Sequence, residues 1–286
     1  MSNFPDLLRI FDGRYLPEPF LGPGEGPSRP TRLSRNLLLV ANAVSTNASW
    51  LLQHFSKLSL VGAVGADTQV VFVSFVQNVE FHAECFKKAG VDINLHIAQK
   101  SFVFVDGSSA LFNDLPAASS SISAAHTSLH LKAGLFPSWR EQLQTLLERS
   151  RRGETRPRRQ ILCLEALDMV MALGIAGATE LLNLVTELRN SADTTIVSTY
   201  SSAEMLTGYS PLAREQCMYL QGLSRQALAI FSLRPLESGY SDEVSGFLRI
   251  TRGGEPTTEV VECGEFHYFV GEGNLGSAKV FVRGRW

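Results

Sequence analysis

Apolar residues in this chain come in short unbroken runs separated by amphipathic stretches. Asn36 to Ala41, Val70 to Phe75, Ser101 to Gly107, Gln160 to Glu165, Thr194 to Ser198 and Ala227 to Leu233 read as strands. Between them, Ala48 to Leu58, Asn78 to Ala89, Ser138 to Glu148, Ala176 to Arg189 and Ser210 to Gly222 read as helices. Trp139, Leu143, Leu146 and Leu147, at i, i+4, i+7 and i+8, give one of these an apolar face. Asn78 is placed to cap its helix and Gly90 to stop it. Strands without polar alternation are buried on both faces, and strands alternating with helices imply a mostly parallel sheet covered on both sides. The tail changes character. Phe247 to Arg252, Glu265 to Val270 and Lys279 to Arg283 are β-rich and separated by glycine turns, which predicts an antiparallel meander.

The remaining segments carry little periodicity. Residues 12–35 hold Pro17, Pro19, Gly22, Pro23, Gly24, Gly26, Pro27 and Pro30 and read as irregular. Residues 1–35 are therefore expected to precede one α/β domain over residues 36–286. Ser108, Ser109, Ser119, Ser120, Ser121 and Ser123 suggest a mobile loop. Six arginines, Arg149, Arg151, Arg152, Arg156, Arg158 and Arg159, form a basic linker opposed only by Glu154.

Composition narrows the class. The 286 residues are 44% hydrophobic and 19% charged, with mean hydropathy +0.04, as in a soluble globular protein. With 26 Lys+Arg against 28 Asp+Glu the net charge is −2, which argues against bulk electrostatic capture of nucleic acid. Cys85, Cys163, Cys217 and Cys263 form no C-x-x-C pair and read as reduced thiols of a cytosolic or nuclear protein. Met1 to Ile10 has no basic stretch leading into an apolar core, so no signal peptide is expected. The most apolar stretch, Ile161 to Ala178, carries Glu165 and Asp168 and reads as a buried strand and helix, with no membrane role.

Candidate chemistry centres on the first strand-to-helix turn, where an α/β sheet places its phosphate site. A P-loop needs G-x-x-x-x-G-K-[ST], whose glycines let backbone N–H groups wrap the phosphates and whose lysine neutralises them. Ala41-Asn42-Ala43-Val44-Ser45-Thr46-Asn47-Ala48-Ser49 contains neither glycine nor lysine. Ser45 and Thr46 can donate to an anion there, or simply cap the helix. Glu165, ending an apolar strand, stands where an acid would hold Mg²⁺ through water, or serves structure alone. Gly62-Ala63-Val64-Gly65 neither follows the first strand nor opens a helix, so it is no dinucleotide fingerprint. His126 and His130 have helical ligand spacing, but Thr127-Ser128-Leu129 supplies no further ligand; no metal, cofactor or catalytic residue is expected. Arg151, Arg152, Arg158 and Arg159 are candidates for RNA phosphates, the alternative being a solvated loop.

One segment has a recognisable signature. In Pro235-Leu236, Gly239, Asp242-Glu243-Val244-Ser245-Gly246 and Arg252-Gly253-Gly254, a Pro-Leu, a Gly, an Asp-x-Val-[ST]-Gly and an Arg-Gly-Gly follow at the spacings of the Elongator complex protein 6 family. Glu265 to Val270 and Lys279 to Phe281 resemble that family's closing strands. The resemblance covers nearly the whole chain, in the N-terminal half by pattern more than by letters. It implies a RecA-like three-layer α/β fold without Walker residues and no enzyme activity of the subunit itself. It implies assembly with Elongator proteins 4 and 5 in a ring of six, with the remaining Elongator subunits beyond. It also implies a contribution to tRNA binding for wobble-uridine modification, in the cytoplasm and nucleus. Gly239, Asp242, Gly246, Arg252, Gly253 and Gly254 are then interface or tail-motif candidates. Gly239 and Gly246 read as a tight connection into the last hairpin, and Gly253-Gly254 as its turn. A degenerate ATPase site completed by a ring neighbour, with Ser45, Thr46 and Glu165 as residual ligands, is the alternative. A RecA-like regulator outside Elongator is a third.

Overall fold

The chain is described from a computed structural model that covers residues 35–61, 68–111, 129–131, 136–152, 159–202, 207–237, 239, 241–256, 261, 263–271 and 278–282. The elements in order are β1 (Asn36–Asn42), α1 (Ser49–Val61), β2 (Thr68–Ser74), α2 (Val79–Lys88), α3 (Ile93–Ala98), β3 (Phe102–Asp106), α4 (Ser108–Leu111) and β4 (Leu129–His130). There follow α5 (Phe136–Arg152), β5 (Arg159–Glu165), α6 (Met169–Ala172), α7 (Ala178–Ser191), β6 (Thr194–Tyr200), α8 (Pro211–Gln226), β7 (Ala229–Arg234), β8 (Gly246–Arg252), β9 (Gly264–Phe269) and β10 (Lys279–Val282).

All described strands join one ten-stranded sheet in the order β10-β9-β8-β7-β1-β6-β5-β2-β3-β4. From β7 to β4 every pairing is parallel; β8, β9 and β10 add antiparallel to β7. Side chains in the parallel strands alternate between two helical layers. Leu38, Val40, Val70, Phe72, Ile161 and Cys163 pack under α1 and α2, against Trp50, Leu51, Phe55 and Phe86. Leu37, Leu39, Val71, Val73, Leu162 and Leu164 pack on the other face against α5, α7 and α8 through Trp139, Leu143, Leu181, Val185 and Tyr219. A strand apolar at every position therefore serves two cores, and the arrangement is the three-layer fold consistent with a RecA-like architecture. Among the described residues no helix is long and apolar enough to cross a membrane.

Cap chemistry fixes several ends. Asn78 Oδ1 accepts from the Phe81 N–H at 3.0 Å, and α2 ends at Ala89 with Gly90 beyond it at φ +81°. The structure also departs from the sequence reading. Ser108 and Ser109 open a short helix instead of a loop, because both hydroxyls and the Ser109 N–H donate to the Asp106 carboxylate. The rest of the Ser-rich stretch, with Ser119, Ser120, Ser121 and Ser123, lies outside the described residues. The basic linker starts later than expected, since α5 runs to Arg152. His130 ends a two-residue strand, so its helical pairing with His126, itself outside the described residues, has no helix to rest on. Residues 62–65 and the segment before Arg35 are outside the description as well.

The tail is tied down by close backbone approach. The Gly253 and Glu255 N–H groups donate to Leu228 and Ala227 carbonyls and the Gly254 N–H to Ser224, at 2.9–3.0 Å. A Cβ at Gly253 would lie 2.0 Å from the Ala227 carbonyl oxygen, so Arg-Gly-Gly, which ends β8 and opens its connection to antiparallel β9, also makes a close approach to the end of α8. Arg189 locks the same corner: it donates to the Arg35 and Gln226 carbonyls at 2.5 and 3.1 Å and pairs with Glu255. Gly253→Ala should destabilise the chain by about 2–3 kcal/mol, a fall in Tm of roughly 5–10 °C. Gly90→Ala, strained in φ but with open space around its Cβ, should cost only about 1 kcal/mol. Thermal melts of the two variants check the contrast.

Candidate functional site

The carboxyl ends of β1, β5 and β6 frame a cleft of about 280 Å³ lined by Asn42, residues 44–49, Val76, Gln77, Glu165, Ala166 and residues 198–200. This is where open α/β sheets bind ligands. The β1–α1 loop forms one wall, and its own side chains close it. Asn42 Nδ2 donates to the Thr46 and Ala43 carbonyls at 3.0 and 3.3 Å. Thr46 is buried, with Oγ1 donating to the carbonyls of Ala43 and Leu233 at 2.9 and 3.4 Å. Asn47 Oδ1 accepts from the Ser49 N–H at 2.7 Å and so caps α1. No described loop residue has positive φ, so the concave nest of N–H groups that phosphates require does not form. Ser45 is exposed on the rim.

Glu165 forms the floor. It is 2% exposed, and its carboxylate accepts from the hydroxyls of Ser49 and of Ser74, the latter at 2.7 Å. His82 Nε2 lies 3.1 Å away. Gln53 Nε2 stands 3.1 Å from His82 Nδ1; with the amide donating there, the ring proton falls on Nε2, toward Glu165. Burial pushes the Glu165 carboxyl up, but His82 and the two hydroxyls together push it further down, so it lies below its ordinary value. Next to it Ala166 holds φ +53°, a left-handed conformation that costs a non-glycine residue roughly 1–2 kcal/mol, with its N–H donating to Ser198 Oγ at 2.9 Å. Asp168 accepts from the Tyr200 N–H at 2.9 Å and Gln216 Nε2 at 3.2 Å, while its Oδ1 has no partner. Burial raises its pKa and those bonds only partly offset the rise.

Of the residues expected at a residual nucleotide site, Thr46 thus faces inward, Ser45 stands on the rim and Glu165 on the floor. Sequence reading missed Ser49, Ser74 and His82. The signals for them exist: Ser49 is the first residue of α1, where a P-loop hydroxyl would stand, Ser74 ends an apolar run, and His82 shares the buried face of Val79 and Phe86.

Comparison with known proteins decides the family. The family described as Elongation complex protein 6 matches residues 27–271. The chain belongs to the Elongator complex protein 6 family. An Elongator complex protein 6 homolog of Schizosaccharomyces pombe is 25% identical over 84% of this chain and 80% of its own length. Elongator complex protein 6 of Rattus norvegicus is 23% identical over 86% and 91%, and that of Homo sapiens 23% over 77% and 81%.

This Elongator complex protein 6 family chain keeps its tail signature away from the cleft floor. Gly239 has φ +89°, and Asp242 is exposed in the bend before β8. Gly246 faces the Arg234 carbonyl, 2.4 Å from where a Cβ would sit. Arg252 pairs with Ala229, the first residue of β7, and Gly253 and Gly254 lie beyond that amino end. Exposed Arg159 opens β5, so it sits a whole seven-residue strand from Glu165, roughly 20 Å at 3.3 Å per residue. Arg151 and Arg152 close α5, and Arg158 lies outside the described residues.

The two carboxylates respond to pH with opposite sign. Glu165, lowered on folding, stabilises at neutral pH, and that contribution disappears as pH falls below about 4.5 through its folded value. Asp168, raised on folding, lowers stability as pH climbs from about 3.8 toward its folded value. Glu165→Gln should therefore cost about 2–3 kcal/mol at pH 7, with the loss shrinking toward pH 4. Asp168→Asn, which leaves an acceptor for Tyr200, should cost clearly less at pH 7. Urea denaturation of both variants at the two pH values measures this.

Proposed function

We propose that this Elongator subunit is a non-catalytic member of an accessory ring of six built with Elongator proteins 4 and 5. In this reading it supports the binding of tRNA for wobble-uridine modification, in the cytoplasm and nucleus. The observation that carries the reading is the β1–α1 loop. It is closed on itself by Asn42, Thr46 and Asn47, and it offers a triphosphate neither a backbone nest nor a cation. What remains for such a fold is to dock.

An exposed apolar surface supports docking. Leu212 and Met218 flank Glu215 at i−3 and i+3 on α8, and Glu215 accepts from the Ala178 N–H at 2.6 Å. Leu173 and Ile175 lie in the turn before α7, whose first residue that contact ties to α8; all four side chains are exposed. Large apolar side chains exposed on neighbouring elements suit a protein contact, and head-to-tail contacts between RecA-like subunits close into rings. For tRNA, exposed Arg159, at the end of the sheet remote from the cleft, supports the reading, since a guanidinium can donate to a phosphate in bidentate fashion.

Native mass measurement of the chain with Elongator proteins 4 and 5 should give a complex of six. The double variant Leu212→Asp/Met218→Asp should keep the fold and lose assembly. A chain that stays alone in the mixture refutes the ring. Within the ring, replacing Arg151, Arg152, Arg158 and Arg159 by Ala should make the slope of log affinity for tRNA against log salt shallower by up to about 3.6, near 0.9 per lost phosphate contact. An unchanged slope leaves these arginines as a solvated segment.

One observation favours a degenerate ATPase site completed by a neighbour: the Ser49 hydroxyl meets the Glu165 carboxylate, the pairing a metal–nucleotide would need. Ring ATP hydrolysis that falls with Glu165→Ala supports that second reading, and unchanged hydrolysis supports scaffolding.

A further inference from the structure

The cleft at the carboxyl ends of β1, β5 and β6 is closed to phosphate but it is not filled. Its volume, about 280 Å³, lies at the lower limit of small-molecule pockets, roughly 300–1,000 Å³. A side-chain-sized head group therefore fits it better than a nucleotide. Among its described lining residues none is Lys, Arg or His. The polar groups at its mouth are neutral: Asn42, Ser45, Asn47, Gln77, Thr199 and Tyr200.

Charge at the cleft is set from behind. Glu165 is ionised at the floor, and Asp168 stands one bond behind the wall, holding the Tyr200 N–H. Burial raises the Tyr200 phenol, and the charges of Asp168 and Glu165 raise it further. The opposing positive groups are few. His82, 3.1 Å from Glu165, is fully buried and, like Asp168, acts from outside the lining. The amino end of α1 contributes about half a charge, and Asn47 already caps it. Ala166 adds an independent sign of a working surface, since it lines the cleft in a strained left-handed conformation held by Ser198. Such strain gathers at ligand sites.

We propose that this cleft is a receptor for a cationic head group, the guanidinium or ammonium of an arginine or lysine side chain, ringed by the neutral oxygens of its mouth and drawn by the carboxylate floor. The proposal concerns the single chain and stands whether or not the ring reading holds.

The test uses the full-length chain and N-acetylarginine amide, followed by NMR shifts of the Ser45, Thr199 and Tyr200 amides, with spermidine, N-acetylglutamate amide and Mg-ADP in parallel. The arginine probe should give saturable shifts, and the glutamate probe and Mg-ADP should give none at the same concentrations. Glu165→Gln should weaken the arginine probe at least tenfold. Because that variant can also lose stability, Val44→Arg provides a second arm. Val44 is 70% exposed on the loop, so its replacement leaves the core untouched while placing a tethered guanidinium at the mouth, and it should abolish probe binding. Saturation by spermidine below the concentrations needed for the arginine probe assigns the site to free polyamines; the reverse order assigns it to protein side chains. Equal probe affinity in wild type, Glu165→Gln and Val44→Arg overturns the proposal, as does Mg-ADP saturating in the range of the arginine probe.

Discussion

The carboxylate of Glu165 gathers contacts from three separate parts of the chain: a hydroxyl from the first turn of α1, a hydroxyl from the end of β2 and an imidazole from α2. A buried charge costs several kcal/mol in lost hydration, and only a full set of partners offsets it. The position of α1 over the sheet, the register of β2 against β5 and the rotation of α2 must therefore all agree within hydrogen-bond distance. Ser49 is also the end of the β1–α1 loop. Anchoring it to Glu165 fixes where that loop can run, and the short bonds of Asn42, Thr46 and Asn47 complete its closure. The same carboxylate that organises the fold also sets the sign of charge that the cleft presents.

The opposite end of the sheet is held by different physics. There the backbone of Gly253 and Gly254 presses against the turn between α8 and β7, and Arg189 gathers the start of β1, the end of α8 and Glu255. The corner welds the antiparallel tail to the parallel sheet at the strand that leads out of α8. Without it, β7 would end the sheet as an exposed parallel strand with unpaired backbone groups. The family signature thus maps largely onto a joint between two kinds of sheet. The cleft and exposed Arg159 are separated by the full length of β5, so the two ends share no residues.

Relatives in the Elongator complex protein 6 family share about a quarter of their residues with this chain across most of its length. Within the chain, packing accounts for the unbroken apolar strands, which serve two cores, and for the glycines where backbones meet. The apolar surface around Leu173, Ile175, Leu212 and Met218 has no such packing reason inside the chain. Its exposure next to the polar contact of Glu215 with α7 is what sets it apart from scattered surface leucines.

The apolar runs alone announced the parallel sheet, the two helical layers and the antiparallel tail, because double burial leaves a continuous hydrophobic signature in the sequence. The letters around Pro235 to Gly254 carried the family, and the missing glycines and lysine after β1 showed that no ordinary phosphate loop stands there. What no linear reading could supply is which hydroxyls reach Glu165, that Thr46 turns inward while Ser49 faces the acid, and that two serines in a presumed loop become a helix on Asp106. Those outcomes depend on contacts between residues tens of positions apart or on local competition for one carboxylate. Periodicity records how much of a side chain is buried; it does not record against whom, and hydrogen-bond partners are chosen only once the strands have taken their order in the sheet.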